Sequence, residues 1–147
     1  MLKLIARSCF VVLLILVVCI TALFRSCEKA RIQDYYAEQK NYVSATGTVT
    51  YISYHNEGTE LYYIVSDISY KFSDTEFKIT GKNLQIVREK GVDEKIKVGD
   101  KITFVSAPGY FYDAYVMPIV ALSVNGETLL DFDEGFKNLQ EWLASGN

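Results

Sequence analysis

From Ser8 to Phe24 the chain reads "SCFVVLLILVVCITALF", 17 residues without a charge. As a helix this run extends about 25 Å, against a bilayer hydrocarbon core of about 30 Å. Leu4, Ile5 and Ala6 lengthen it, because the aliphatic stem of Arg7 can snorkel toward the head groups. The expectation is an N-terminal transmembrane helix within a membrane anchor at residues 1–27. Three fates are open to such a segment. Cleavage needs small residues at positions −3 and −1 of the cut. A cut after Ala22 has Ile20 at −3, and one after Ser26 has Phe24 there. A lipoprotein needs a small residue before the lipid-bearing cysteine. Cys19 follows the bulky Val18, and Cys27 follows Ser26 but has Phe24 and Arg25 before it. An uncleaved signal anchor fits these residues better than lipidation at Cys19 or Cys27, or cleavage at a poor site.

Lys3 and Arg7 precede the run, and Arg25, Lys29 and Arg31 follow it, so the positive-inside rule gives no clean orientation. A short basic start usually acts as an export signal, which places the folded part on the extracytoplasmic side of the cell membrane. The cysteines agree with this. Cys9, Cys19 and Cys27 all lie in or beside the run, so the folded part has neither a disulfide framework nor a thiol metal site. From Glu28 onward Lys and Arg number 12 and Asp and Glu 18, a formal net charge of −6. Such a domain is a poor partner for nucleic acid, whose binding rests on phosphate neutralisation.

Residues 28–41, "EKARIQDYYAEQKN", are polar and helix-prone and predict a helical stalk or linker. The domain then occupies 42–147. In "YVSATGTVTYISY" (42–54) Val43, Ala45, Gly47 and Val49 share a phase and Ile52 is out of it, which predicts a β-bulge and a bend at Gly47. "HNEGTE" (55–60) is a turn. "LYYIVSDI" (61–68) is apolar in both phases, as in a strand that is covered on both faces or that covers a bulge. "TEFKIT" (75–80) alternates with Phe77 and Ile79 inward. "GKNLQIVREKG" (81–91) predicts a short helix capped by Asn83, with Leu84 and Val87 on one face and Gly91 closing it. "DKITFV" (100–105) puts Ile102 and Phe104 inward. "YVMPIVALSVNGETLL" (115–130) is the fifth strand, with Val120, Leu122 and Val124 in phase, Pro118 near its start or on an edge, and a tight turn at Asn125-Gly126. At the end Phe132, Phe136, Leu139 and Leu143 recur at helical spacing, a terminal amphipathic helix with Asp133 as cap and Glu134 against the positive end of its dipole.

Three strands, a short helix and two strands is an order that resembles the oligonucleotide/oligosaccharide-binding barrel, or OB-fold. "ATGTV" (45–49) is similar to its bent first strand, and "KVGDKITF" (97–104) to its approach to the fourth. The resemblance implies a mainly β fold, a five-stranded OB-like barrel with a short helix between strands 3 and 4. To it are added a C-terminal amphipathic helix and an N-terminal transmembrane helix. The whole chain also resembles small membrane-anchored envelope proteins of Gram-positive type, which implies a location.

Catalytic chemistry is sparse. His55 is the single histidine and lies in a turn, and no nucleophile elbow, phosphate loop or metal-binding helix is present. "DFDEG" (131–135) lacks the ligand pattern of a calcium loop. No cofactor, no metal and no enzymatic activity are expected. The aromatic cluster Tyr110, Phe111, Tyr112 and Tyr115, with Asp113, lies between the fourth and fifth strands. In an OB-fold that connection and the first turn, here His55 and Asn56, border the ligand face. Tyrosine offers a ring for stacking and a hydroxyl for orientation. The alternative is that these rings fold back and plug the barrel. The expected function is a non-catalytic binding module at the cell envelope, with a glycan, a peptide or a membrane protein as partner. An accessory subunit of a membrane complex and a cytoplasm-facing nucleic-acid-binding OB domain are the rivals.

Overall fold

The computed structural model describes residues 2–108 and 117–145, without the side chains of 2–13, 25, 26, 28 and 29. The first element is helix α1 (Leu2–Ala37). Along it Leu14, Ile15, Leu16, Val17, Val18, Ile20, Leu23 and Phe24 are all exposed. Among the described residues no helix is long and apolar enough to cross a membrane. The first part of the expected span, 8–13, lies outside the described side chains.

A single 3₁₀ turn at Gln39–Asn41 leads into the sheet. Its strands are β1 (Val43–His55), β2 (Glu60–Ser66), β3 (Glu76–Thr80), β4 (Lys101–Ser106), β5 (Met117–Val124) and β6 (Glu127–Leu130). Between β3 and β4 lie α2 (Gly81–Glu89) and the one-turn α3 (Val92–Lys95), and the chain ends in α4 (Phe132–Ala144). The sheet order is β3-β2-β1-β4-β5-β6, and a parallel pairing of β3 with β5 (Phe77↔Met117, Lys78↔Pro118) closes it. The result is a closed five-stranded mixed barrel, compatible with an OB-like fold, with β6 appended to β5 as a hairpin.

Closure depends on β1 serving two neighbours. Its first half pairs with β4 (Val43↔Ser106 to Thr48↔Lys101), and its second half pairs with β2 as far as His55↔Glu60. The register slips between Val49 and Tyr51, at the expected bulge. Gly47 is required at the bend. A Cβ there would lie 2.4 Å from Val65 Cγ1 and 3.0 Å from the Ser66 carbonyl oxygen.

Inward residues of β1 to β5 fill the barrel, among them Val49, Leu61, Tyr63, Phe77, Ile79, Ile102, Phe104, Ile119 and Leu122. Phe77 and Phe104 meet edge-on at 4.6 Å, and Phe72 from the β2–β3 loop covers both. A second core lies outside the barrel, where Tyr36 of α1 meets Ala107, Val120, Leu139 and Leu143. Ile119 and Leu122 both belong to the barrel core although three positions apart. A bulge in β5 opposite Val105 and Ser106 permits this and turns Val120 toward α4.

Of the two readings of β2, the second holds: it lies opposite the β1 bulge, and it is not covered on both faces, since Leu61, Tyr63 and Val65 are buried while Tyr62 and Ile64 are half-exposed. Other local expectations change. The segment after Asn125-Gly126 is a separate sixth strand, because that turn reverses the chain onto β5. Asn83 does not cap α2. The helix begins at Gly81 with Thr80 before it, so Asn83 sits in the first turn and is buried. Its Nδ2 donates to the Gly135 carbonyl (2.9 Å), and its Oδ1 accepts from Asn138 Nδ2 (3.0 Å). Asp131, not Asp133, caps α4: its Oδ1 accepts from the Asp133 backbone N–H at 3.0 Å, because the helix starts at Phe132.

Candidate functional site

Cross-strand register arranges the outer face of β1, β2 and β3 in rows, because directly paired residues point to the same side. His55, Glu60 and Thr80 form the first row. Ser53, Tyr62 and Lys78 form the second, and Tyr51, Ile64 and Glu76 the third. The inward residues of β2 and β3 lock into the barrel core, so this surface stands on a rigid base.

Glu60 is the hub. Its Oε2 accepts from Asn56 Nδ2 (2.6 Å) and from the Tyr62 hydroxyl (3.0 Å), and its Oε1 lies 3.3 Å from Lys78 Nζ. Lys78 is only 6% exposed, and its ammonium lies 5.8 Å from the centroid of the Tyr62 ring. An ion pair this buried is sustained by added hydrogen bonds rather than by Coulomb attraction alone, and Glu60 has two of them. The His55 ring tilts over Tyr62 at 4.5 Å and shares a hydrogen bond with Ser53 Oγ at 3.0 Å. Beyond Lys78 the face meets α4. A small cleft opens there, lined by Thr80, Asn83, Pro118, Asn138 and Trp142.

The β1–β2 turn holds three successive residues at positive φ: Asn56 at 49°, Glu57 at 56° and Gly58 at 85°. For Glu57 this geometry costs roughly 1–2 kcal/mol, and less for Asn56, whose short polar side chain suits the left-handed region. The turn is strapped from the inner side. Arg88 Nη2 donates to the Gly58 carbonyl at 2.7 Å, the Arg88 guanidinium lies 4.7 Å from the Tyr54 ring centroid, and the Tyr54 hydroxyl donates to Asp93. Burial, followed by that bond to Asp93, raises the Tyr54 hydroxyl above its ordinary pKa.

The structure therefore brings His55 and Asn56 together, and adds Glu60, Tyr62 and Lys78 to them. Tyr110, Phe111, Tyr112, Asp113 and Tyr115 lie outside the described residues. Their loop leaves β4 at Ser106, opposite Val43, and returns at Met117, opposite Phe77. The β1–β2 turn lies at the Thr80 end of β3, about 10 Å along the strand from Phe77. Comparison with known proteins gave no matching family model, no similar curated protein and no similar solved structure. Among the described residues no three His, Cys, Asp or Glu side chains converge as a metal site. Glu60, Tyr62 and Lys78 were not legible as a cluster: Glu60 falls in the turn read at 55–60, Tyr62 in a run apolar in both phases, and a lysine between Phe77 and Ile79 reads as solvated.

Proposed function

We propose that the chain is a non-catalytic binding module, held by α1 in the cell membrane and presenting its barrel on the extracytoplasmic side. The outer face of β1–β2–β3 is the observation that carries this reading. It gathers Tyr51, His55 and Tyr62 around a hydrogen-bonded ion pair on rigid strands, an arrangement suited to recognition. OB-like barrels use this side of the fold for ligands, which supports the assignment. The apolar, exposed stretch of α1 supports membrane attachment. The acidic balance of the domain supports a partner other than nucleic acid.

Two measurements test it. With Cys9, Cys19 and Cys27 replaced by Ser, Val98→Cys on an exposed turn should react with a membrane-impermeant maleimide in intact cells. Labelling only after permeabilisation would place the domain in the cytoplasm. Tyr51→Ala should remove retention of envelope material by the full chain while leaving its melting temperature near wild type.

The exposed apolar side chains of α1 favour a second reading, an accessory subunit whose main contact is that helix. Under it, co-purification of a membrane protein in mild detergent survives Tyr51→Ala.

A further inference from the structure

We propose that the third row of the outer face, Tyr51–Ile64–Glu76, receives a lysine or arginine side chain from an extended segment of a partner protein. This rests on the reading of that face as a binding surface. The second row and Glu60 supply an internal precedent, in which the chain's own Lys78 lies over the Tyr62 ring at 5.8 Å and beside Glu60 at 3.3 Å. The third row offers the same two partner types around an apolar floor. Tyr51 is 54% exposed, Ile64 is half-buried between its neighbours, and Glu76 closes the row. Among the described residues Glu76 has neither an ion pair nor a side-chain hydrogen bond.

The outer two residues of the row stand about 10 Å apart across three strands, a span that a basic side chain lying over Ile64 can bridge. Its stem would cover Ile64, and its charge would be shared between the Tyr51 ring and the Glu76 carboxylate. Glu60 and Glu76 outnumber Lys78 in the three rows, and the net charge of −6 from Glu28 onward steers cations toward the domain. A phosphate backbone would be repelled, and a neutral sugar would leave Glu76 without a counter-charge.

The test uses the full chain in detergent micelles and fluorescence anisotropy. The probes are a dye-labelled pentalysine peptide, a pentaglutamate peptide and a neutral chitooligosaccharide. Pentalysine should bind and weaken with added salt, and pentaglutamate should not bind. Tyr51→Ala and Glu76→Gln should each weaken binding about fivefold without a change in melting temperature. Glu89→Gln, which removes an equal charge from the exposed side of α2, should leave binding unchanged. Wild-type affinity in Glu76→Gln, or an equal loss in Glu89→Gln, would overturn the proposal. Binding of the chitooligosaccharide alone, abolished by Tyr51→Ala, would overturn the ligand class and leave the binding face standing. If no probe binds, the proposal falls, and if Tyr51→Ala also leaves envelope retention intact, the binding face falls with it.

Discussion

Gly135 lies where α4 comes closest to β5. A Cβ at this position would stand 2.0 Å from the Val120 carbonyl oxygen and 2.8 Å from its carbon. The obstacle is backbone, which cannot rotate aside, so Gly135→Ala must lift α4 from the sheet. We expect a loss of about 1–3 kcal/mol in denaturant unfolding, and an unchanged midpoint would show that the helix is seated elsewhere. The same contact explains the buried Asn83, whose amide reaches the Gly135 carbonyl. Neither role was legible in the sequence. An Asn at a helix start reads as a cap, and a Gly within a helix reads only as a weak position, because the partner of Asn83 is 52 residues on and that of Gly135 is Val120 in another element. Lys78 belongs to the same class. Its burial follows from Glu60 and Tyr62 across the strand pair and from α4 behind it, none of which is visible in "TEFKIT".

At the scale of elements, periodicity carried most of the information. The inward pairs Phe77 and Ile79, and Ile102 and Phe104, and the buried face Leu84 and Val87, are where alternation and helical spacing placed them. The bulge in β1 was also readable, since a phase slip in a long strand has few other meanings. The bulge in β5 was missed, because Val120, Leu122 and Val124 alternate as a single phase, whereas Val120 joins the second core and only Leu122 and Val124 join the barrel core. In α4 the stripe was right but its contacts were not all equal. Leu139 and Leu143 are buried, whereas Phe132 and Phe136 are half-exposed and pack against Tyr42 from the side. Leu139→Ala should therefore lower stability by about 2–4 kcal/mol. A change in the denaturation midpoint equivalent to less than about 0.5 kcal/mol would mean that the helix does not depend on this residue.

For the whole molecule, the order of strands and helix pointed to a barrel, and the parallel β3–β5 closure realises one. The second core was not foreseen, because a polar segment such as 28–41 gives no sign of what its few tyrosines will meet. Burial of tyrosines in the two cores has a consequence for alkaline stability. Desolvation is the largest cause raising the pKa of Tyr36, Tyr42 and Tyr63 above the ordinary tyrosine value of 10.0. All three phenols stay protonated in the fold at a pH where the unfolded chain has lost those protons. Their contribution is complete below about pH 10 and declines above it, by at most about 1.4 kcal/mol per pH unit for each. Denaturant midpoints should hold steady up to that pH and then fall, with the last part of the phenolate absorbance appearing together with unfolding, because solvent-exposed phenols ionise in the fold. Phenolate absorbance from all 11 tyrosines before unfolding would show that these hydroxyls are accessible in the fold.

The seating of Tyr36 also fixes a geometry. Gln33 Nε2 donates to the Leu143 carbonyl at 2.8 Å, Gln140 Nε2 to the Tyr36 carbonyl at 2.6 Å, and the Tyr42 hydroxyl to that same carbonyl at 2.9 Å. These bonds join the barrel to a helix unbroken from Leu2 to Ala37. The domain is thus geared to that helix rather than tethered to it. Each residue added or removed between Phe24 and Ile32 would turn the β1–β2–β3 face by about 100° around the helix axis and shift it by about 1.5 Å along it. The length of this segment is therefore a dial that sets which way the face looks, and nothing in the barrel itself needs to change for it to turn.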